Sequence, residues 1–103
     1  MKYMLVLQFP AGEIADYEKM VDVEEALDKC LHGVAEVDGH DFGSGEMNIF
    51  ILTDEPQAAF DKARFIVNAA GLLAKFSAAY RLIGSEEHTR LWPTGSEEPF
   101  KVI

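Results

Sequence analysis

The sequence holds a single cysteine, Cys30, so no disulfide can form within the chain and the fold does not depend on an oxidising compartment. None of its apolar runs approaches the roughly 20 residues that a helix needs to cross a bilayer. Bases are scarce: nine Lys and Arg stand against eighteen Asp and Glu, for a net charge of −9. A surface of that sign repels phosphate backbones and argues against a nucleic-acid partner. The recognised phosphate and nucleophile motifs are absent too. There is no Gly-Lys-Ser/Thr phosphate loop, no Gly-x-Gly-x-x-Gly fingerprint and no Gly-x-Ser-x-Gly elbow, and Gly43-Ser44-Gly45 lacks the required flanks.

What is present describes an ordinary globular domain. Its 103 residues are 49% hydrophobic and 26% charged, which fits one domain with one core. We expect a single α+β domain over residues 1–93 and a C-terminal tail over 94–103. Met1–Pro10 resembles a signal peptide only superficially, because its apolar run is short and no small-residue cleavage site follows. A strand is the expected reading and the cytoplasm the expected address.

Charge is not spread evenly. Residues 13–46 carry eleven acids against Lys19 and Lys29, and the rest of the chain is balanced, so this one segment holds the whole imbalance. Such a segment serves either as a solubilising face or as a docking surface for a basic partner.

Periodicity gives the elements. Tyr3, Leu5, Leu7 and Phe9 alternate with Met4, Val6 and Gln8, as a strand requires. A helix follows from an Asp16 cap to about Leu31, with Tyr17, Met20, Leu27 and Leu31 on its apolar side and Gly33 beyond its end. Val34–Asp38 reads as a short strand, Gly39–Glu46 as a loop with three glycines, and Met47–Thr53 as a strand. Thr53-Asp54-Glu55-Pro56 marks a helix start. Ala59, Phe60, Ala63, Ile66, Val67 and Ala70 form its stripe, and Gly71 ends it. Residues 74–83 suit a fourth strand and His88–Trp92 a short fifth.

The order β-α-β-β-α-β resembles the ferredoxin-like superfold over residues 2–83. That resemblance implies two helices on one face of a four-stranded, mainly antiparallel sheet, with the first and third strands central. Both faces of those strands are apolar, so the face away from the helices needs a cover. Either the C-terminal Leu91, Trp92, Phe100, Val102 and Ile103 fold back over it, or a second copy packs against it in a homodimer, which we expect.

The most distinctive stretch is Asp38-Gly39-His40-Asp41 with Glu46 closing the loop. Imidazole and carboxylates together can ligate a metal, with Glu13 and Asp16 brought near by the fold. The spacing matches neither zincins nor the EF-hand, and local Asp-to-backbone bonding explains the same residues. Tyr80, Arg81 and Trp92 can line a pocket by stacking and ion pairing, or simply pack. Cys30 reads as a half-buried apolar residue rather than a nucleophile, and His88 as a solvated turn residue.

Asp38–Asp41, Asn48–Phe50 and Leu91–Pro93 also resemble a group of small bacterial proteins that share an Asp-Gly-His-Asp loop, an Asn-Ile-Phe strand and a Leu-Trp-Pro near the end. That likeness implies a fold but brings no activity. The residues therefore point first to a binding module rather than an enzyme, without cofactor. Its acidic docking face would include Asp22, Glu25, Asp38, His40, Asp41 and Glu46, as in an immunity-type inhibitor of a basic toxin. The alternatives are a small-molecule sensor and a small metal-dependent enzyme using residues 38–46.

Overall fold

The computed structural model describes residues 1–10, 17–43, 45–72, 76–93, 100 and 102, the side chains of residues 17–20, 42 and 43 excepted. Strands β1 (Tyr3–Pro10), β2 (Ala35–Gly43), β3 (Glu46–Thr53), β4 (Ser77–Leu82) and β5 (Thr89–Trp92) form one sheet in the order β2-β3-β1-β4-β5. All four neighbouring pairs are antiparallel. Helix α1 (Tyr17–Leu31) lies between β1 and β2 in the chain, and α2 (Pro56–Ala69) between β3 and β4. The sheet thus has five strands rather than four, because residues 89–92 pair with β4. Strands β1 and β3 are interior, as their apolar composition requires.

Register fixes which residues face the helices. Leu5 stands opposite Ile51 and Tyr80, and Leu7 opposite Ile49 and Ala78, so the odd positions of β1 share a face with the odd positions of β3 and the even ones of β4. Val23, Leu27 and Leu31 of α1 join Ala59, Phe60, Ala63 and Val67 of α2 in one buried cluster on that face. Each fully buried Leu there contributes about 1.5–3 kcal/mol. Phe76 stacks on Phe9 and on Phe60 at centroid distances of 5.7 and 6.4 Å, which closes the core at the α2 side. The small Ala59 and Ala63, both fully buried, let α2 lie close to the sheet.

The start of α2 has no side-chain cap at its N-cap residue, Glu55. Instead the Glu55 N–H donates to Thr53 Oγ1 at 2.9 Å, and Pro56 opens the helix where no N–H is needed. The helix ends where Gly71 takes φ +77°, in the left-handed region. The expected Asp16 cap of α1 lies outside the described residues.

One element departs from the sequence reading. Residues 39–43 are not loop but the second half of β2, which runs from Ala35 to Gly43. A bulge between Val37 and Gly39 explains the misreading. Asp38 is the extra residue, and Gly39 at φ +152° supplies a conformation that side chains disfavour, so the ladder resumes beyond it. The hairpin closes between the paired Gly43 and Glu46, with Gly45 at φ +79°.

The opposite sheet face is partly covered within the chain. Val6, Asn48 and Ala79 point to it and are buried, at 1%, 0% and 0% exposure. Arg90, opposite Ala79, also belongs to this face, and its guanidinium lies over the Phe100 ring at 5.5 Å. The C-terminal residue Phe100 therefore reaches the β4–β5 side of the face. Met4, Phe50 and Leu52, side by side toward β3, remain half-buried.

Candidate functional site

Helix α1 runs along β2, an outer strand of the sheet, and the two elements carry the acidic segment. Asp22, Glu25 and Asp28 are exposed on α1, and Glu36, Asp38 and Asp41 are exposed on β2. Between them lies a groove of about 350 Å³ lined by Glu24, Glu25, Asp28, Val37, Asp38 and Gly39. The bulge places Asp38 there, so the glycine that interrupts the ladder also shapes the groove.

His40 sits beside this groove. Its Nδ1 is 2.9 Å from Glu24 Oε2, and both side chains are about three-quarters buried. The register explains why: His40 pairs with Ile49, whose side chain faces the helices, so the imidazole points toward α1. Asp41 pairs with Asn48 and points to the other side of the sheet. His40 and Asp41 consequently cannot act on one ion, although they are adjacent in sequence. Among the described residues, no group of three or more His, Cys, Asp or Glu side chains is placed to hold a metal. Glu13 and Asp16 lie outside the described residues.

The other candidate residues separate. Glu46 begins β3 on the face away from the helices, and its Oε2 is buried without a hydrogen-bond partner among the described residues. Tyr80, Arg81 and Trp92 do not share a pocket. Tyr80 meets Tyr3 edge-on at 5.7 Å and lines a shallow cleft with Pro56, Ala58 and Asp61. Trp92 packs at the core margin against Phe60 and Phe76, with the Arg64 guanidinium over its ring at 5.8 Å. Arg81 stands opposite Met4 on the far face and lines a different cleft. Alternation along β4 forces this split, since Tyr80 and Arg81 are consecutive.

The Arg81 cleft has a volume of about 760 Å³ and is bounded by Gly84–Glu86, His88, Phe100 and Val102. His88 is half-buried rather than solvated and lies against the Phe100 ring at 5.3 Å. Burial, and secondarily the Arg81 guanidinium, hold its imidazole below the ordinary value of 6.5, against an opposing backbone hydrogen bond with Glu86. Cys30 is half-buried, with Sγ 4.0 Å from the Lys62 carbonyl oxygen of α2.

Sequence reasoning missed Glu24 as the partner of His40, and missed His88, Arg90 and Phe100 as neighbours of Arg81. The second group had a usable signal. Arg90 pairs with Ala79, and alternation along β4 puts Ala79 on the same side as Arg81. Phe100 was a candidate cover for this face, but no local signal set it beside His88.

Comparison with known proteins finds no family model that matches the chain. It likewise finds no matching curated protein and no matching solved structure.

Proposed function

We propose that the protein is a non-catalytic binding module whose working surface is the acidic groove between α1 and β2, and that its partner is a basic protein. The observation that carries this reading is the placing of exposed Glu25 and Asp28 on one wall of the groove and exposed Asp38 on the other, with no cation among the described lining residues. Carboxylates so arranged raise the encounter rate with a basic surface and make it salt-sensitive. A bacterial immunity-type protein that neutralises a basic toxin in the cytoplasm is the specific form of this reading. The strand order, with β5 added beside β4, supports a ferredoxin-like layout as the scaffold.

The test is capture from lysate by the immobilised chain at low salt, with a variant carrying Asp22→Lys, Glu25→Lys, Asp28→Lys and Asp38→Lys. Glu24 is left intact because it holds His40. The expected result is a basic protein that is retained by the wild type, released as salt approaches about 1 M, where screening shortens to about 3 Å, and lost from the variant. Equal recovery on both proteins overturns the reading.

A homodimer through the β1–β3 part of the far sheet face is a second proposal, favoured by one observation. Met4, Phe50 and Leu52 form an apolar group on that face that the described chain leaves half-buried. A second copy related by a two-fold axis would cover these three side chains. Sedimentation equilibrium showing only monomer at micromolar concentration removes it.

A further inference from the structure

We propose that the cleft between β4, β5 and the C-terminal residues Phe100 and Val102 is a binding site for a small monocarboxylate with an apolar body. It lies on the sheet face opposite the helices and, among the described residues, shares no lining residue with the acidic groove. A volume of about 760 Å³ falls within the range of roughly 300–1,000 Å³ usual for small-molecule sites.

The lining selects the ligand's two ends. This strongly acidic chain has three arginines, and two of them, Arg81 and Arg90, are gathered on this face. Arg81 lines the cleft, and its Nη1 donates to the Ser85 carbonyl oxygen at 3.3 Å, which fixes the guanidinium plane. A guanidinium has five N–H donors in a rigid fork, so this one bond leaves enough for a bidentate grip on a carboxylate. Phe100 and Val102 give the cleft an apolar part, and the His88 ring lies against Phe100. Arg90 caps the Phe100 ring at 5.5 Å and holds that part in place.

The charges on the described lining residues favour a monocarboxylate over phosphate. Glu86 lines the same cleft, and it repels a dianion more than a monoanion. Burial keeps the His88 imidazole mostly neutral at pH 7, so it acts as a hydrogen-bonding group rather than as a second cation. Among the described lining residues, one fixed cation, one acid and an aromatic ring suit a single carboxylate joined to a hydrocarbon.

The experiment is an NMR titration of the full chain, following backbone amides and the His88 ring, with 3-phenylpropionate, butyrate, 3-phenylpropionamide and inorganic phosphate in parallel. Saturable shifts at Gly84, Ser85, Glu86 and His88 with at least one of the two carboxylates are expected. The amide and phosphate should bind at least tenfold more weakly. Arg81→Gln should weaken carboxylate binding at least tenfold. Phe100→Ala should weaken 3-phenylpropionate several-fold and gives an independent reading should Arg81→Gln not fold. The absence of saturable shifts with either carboxylate overturns the proposal, as does equal binding of the amide or of phosphate, or binding undiminished in both variants. Either result leaves the acidic-groove reading untouched, since that reading is tested by capture of a protein.

Discussion

The Nδ1 atom of His40 lies 2.9 Å from Oε2 of Glu24, and this contact ties the outer strand β2 to helix α1 across a separation of 16 residues. Both groups are screened by water to some degree, so the pair should be worth about 0.5–1 kcal/mol, near the upper end for such contacts. A double-mutant cycle with Glu24→Gln and His40→Gln, read by urea unfolding, should return a coupling of that size. A coupling indistinguishable from zero would mean that the two groups are neighbours without being partners.

Gly39 makes a second, separable demand on the same strand. At φ +152° it occupies a region that residues with a Cβ avoid, yet a Cβ built there meets nothing within 4 Å. Gly39→Ala should therefore cost about 1–2 kcal/mol through backbone conformation alone. Gly39→Val should cost at least as much, with no further jump for the larger side chain pointing into open space. A neutral Gly39→Ala in denaturant melts would show that the bulge relaxes.

The two phenylalanines of α2 give a contrast within one helix. Phe60 is buried against Phe76 and Trp92, whereas Phe65 is 72% exposed. Phe60→Ala should destabilise by about 3–5 kcal/mol. Phe65→Ala should stay within about 0.5 kcal/mol. Similar losses at the two positions, measured by thermal melts, would place the core elsewhere.

His88 sets a pH dependence whose sign follows from its lowered pKa. The native state resists protonation that the unfolded chain accepts near 6.5, so the unfolded state binds more protons as pH falls below that value. The associated stability is fully present above 6.5 and is lost as pH drops through the lower native value. Arg81 is the charged group that acts on it, and Arg81→Gln should reduce the effect by removing a repulsive cation. His88→Gln should flatten this part of a Tm-against-pH curve. An unchanged slope between about pH 7 and 5 would assign it to other groups.

Much of the scaffold was legible because its signals are local. The stripe Ala59, Phe60, Ala63 and Val67 and the stop at Gly71 mark α2 unambiguously. The alternation of Leu5, Leu7 and Phe9 with Met4, Val6 and Gln8 marks an interior strand. The end of β2 was illegible for a physical reason. Gly39 signals an interrupted ladder, and the sequence does not distinguish a glycine that ends a strand from one that accommodates a bulge within it. That single ambiguity shifted His40 and Asp41 from a shared loop tip to opposite sides of a sheet. The acidic groove was half legible: the charge run was plain, but which acids line a cavity depends on the packing of α1 beside β2. The separation of Tyr80 from Arg81 followed from strand alternation alone, whereas the approach of Phe100 to His88 is a tertiary contact without local trace.

The bulge also governs how other chains can attach. β2 borders the sheet at one side with its ladder broken at Asp38 and with Glu36, Asp38 and Asp41 exposed along it, while β5 borders the other with only four residues. A foreign strand laid against β2 would find its hydrogen bonds out of step past the third residue and its neighbours negatively charged. Runaway stacking of copies into fibrils is thereby discouraged, and whatever engages this border must grip it through side chains rather than lengthen the sheet.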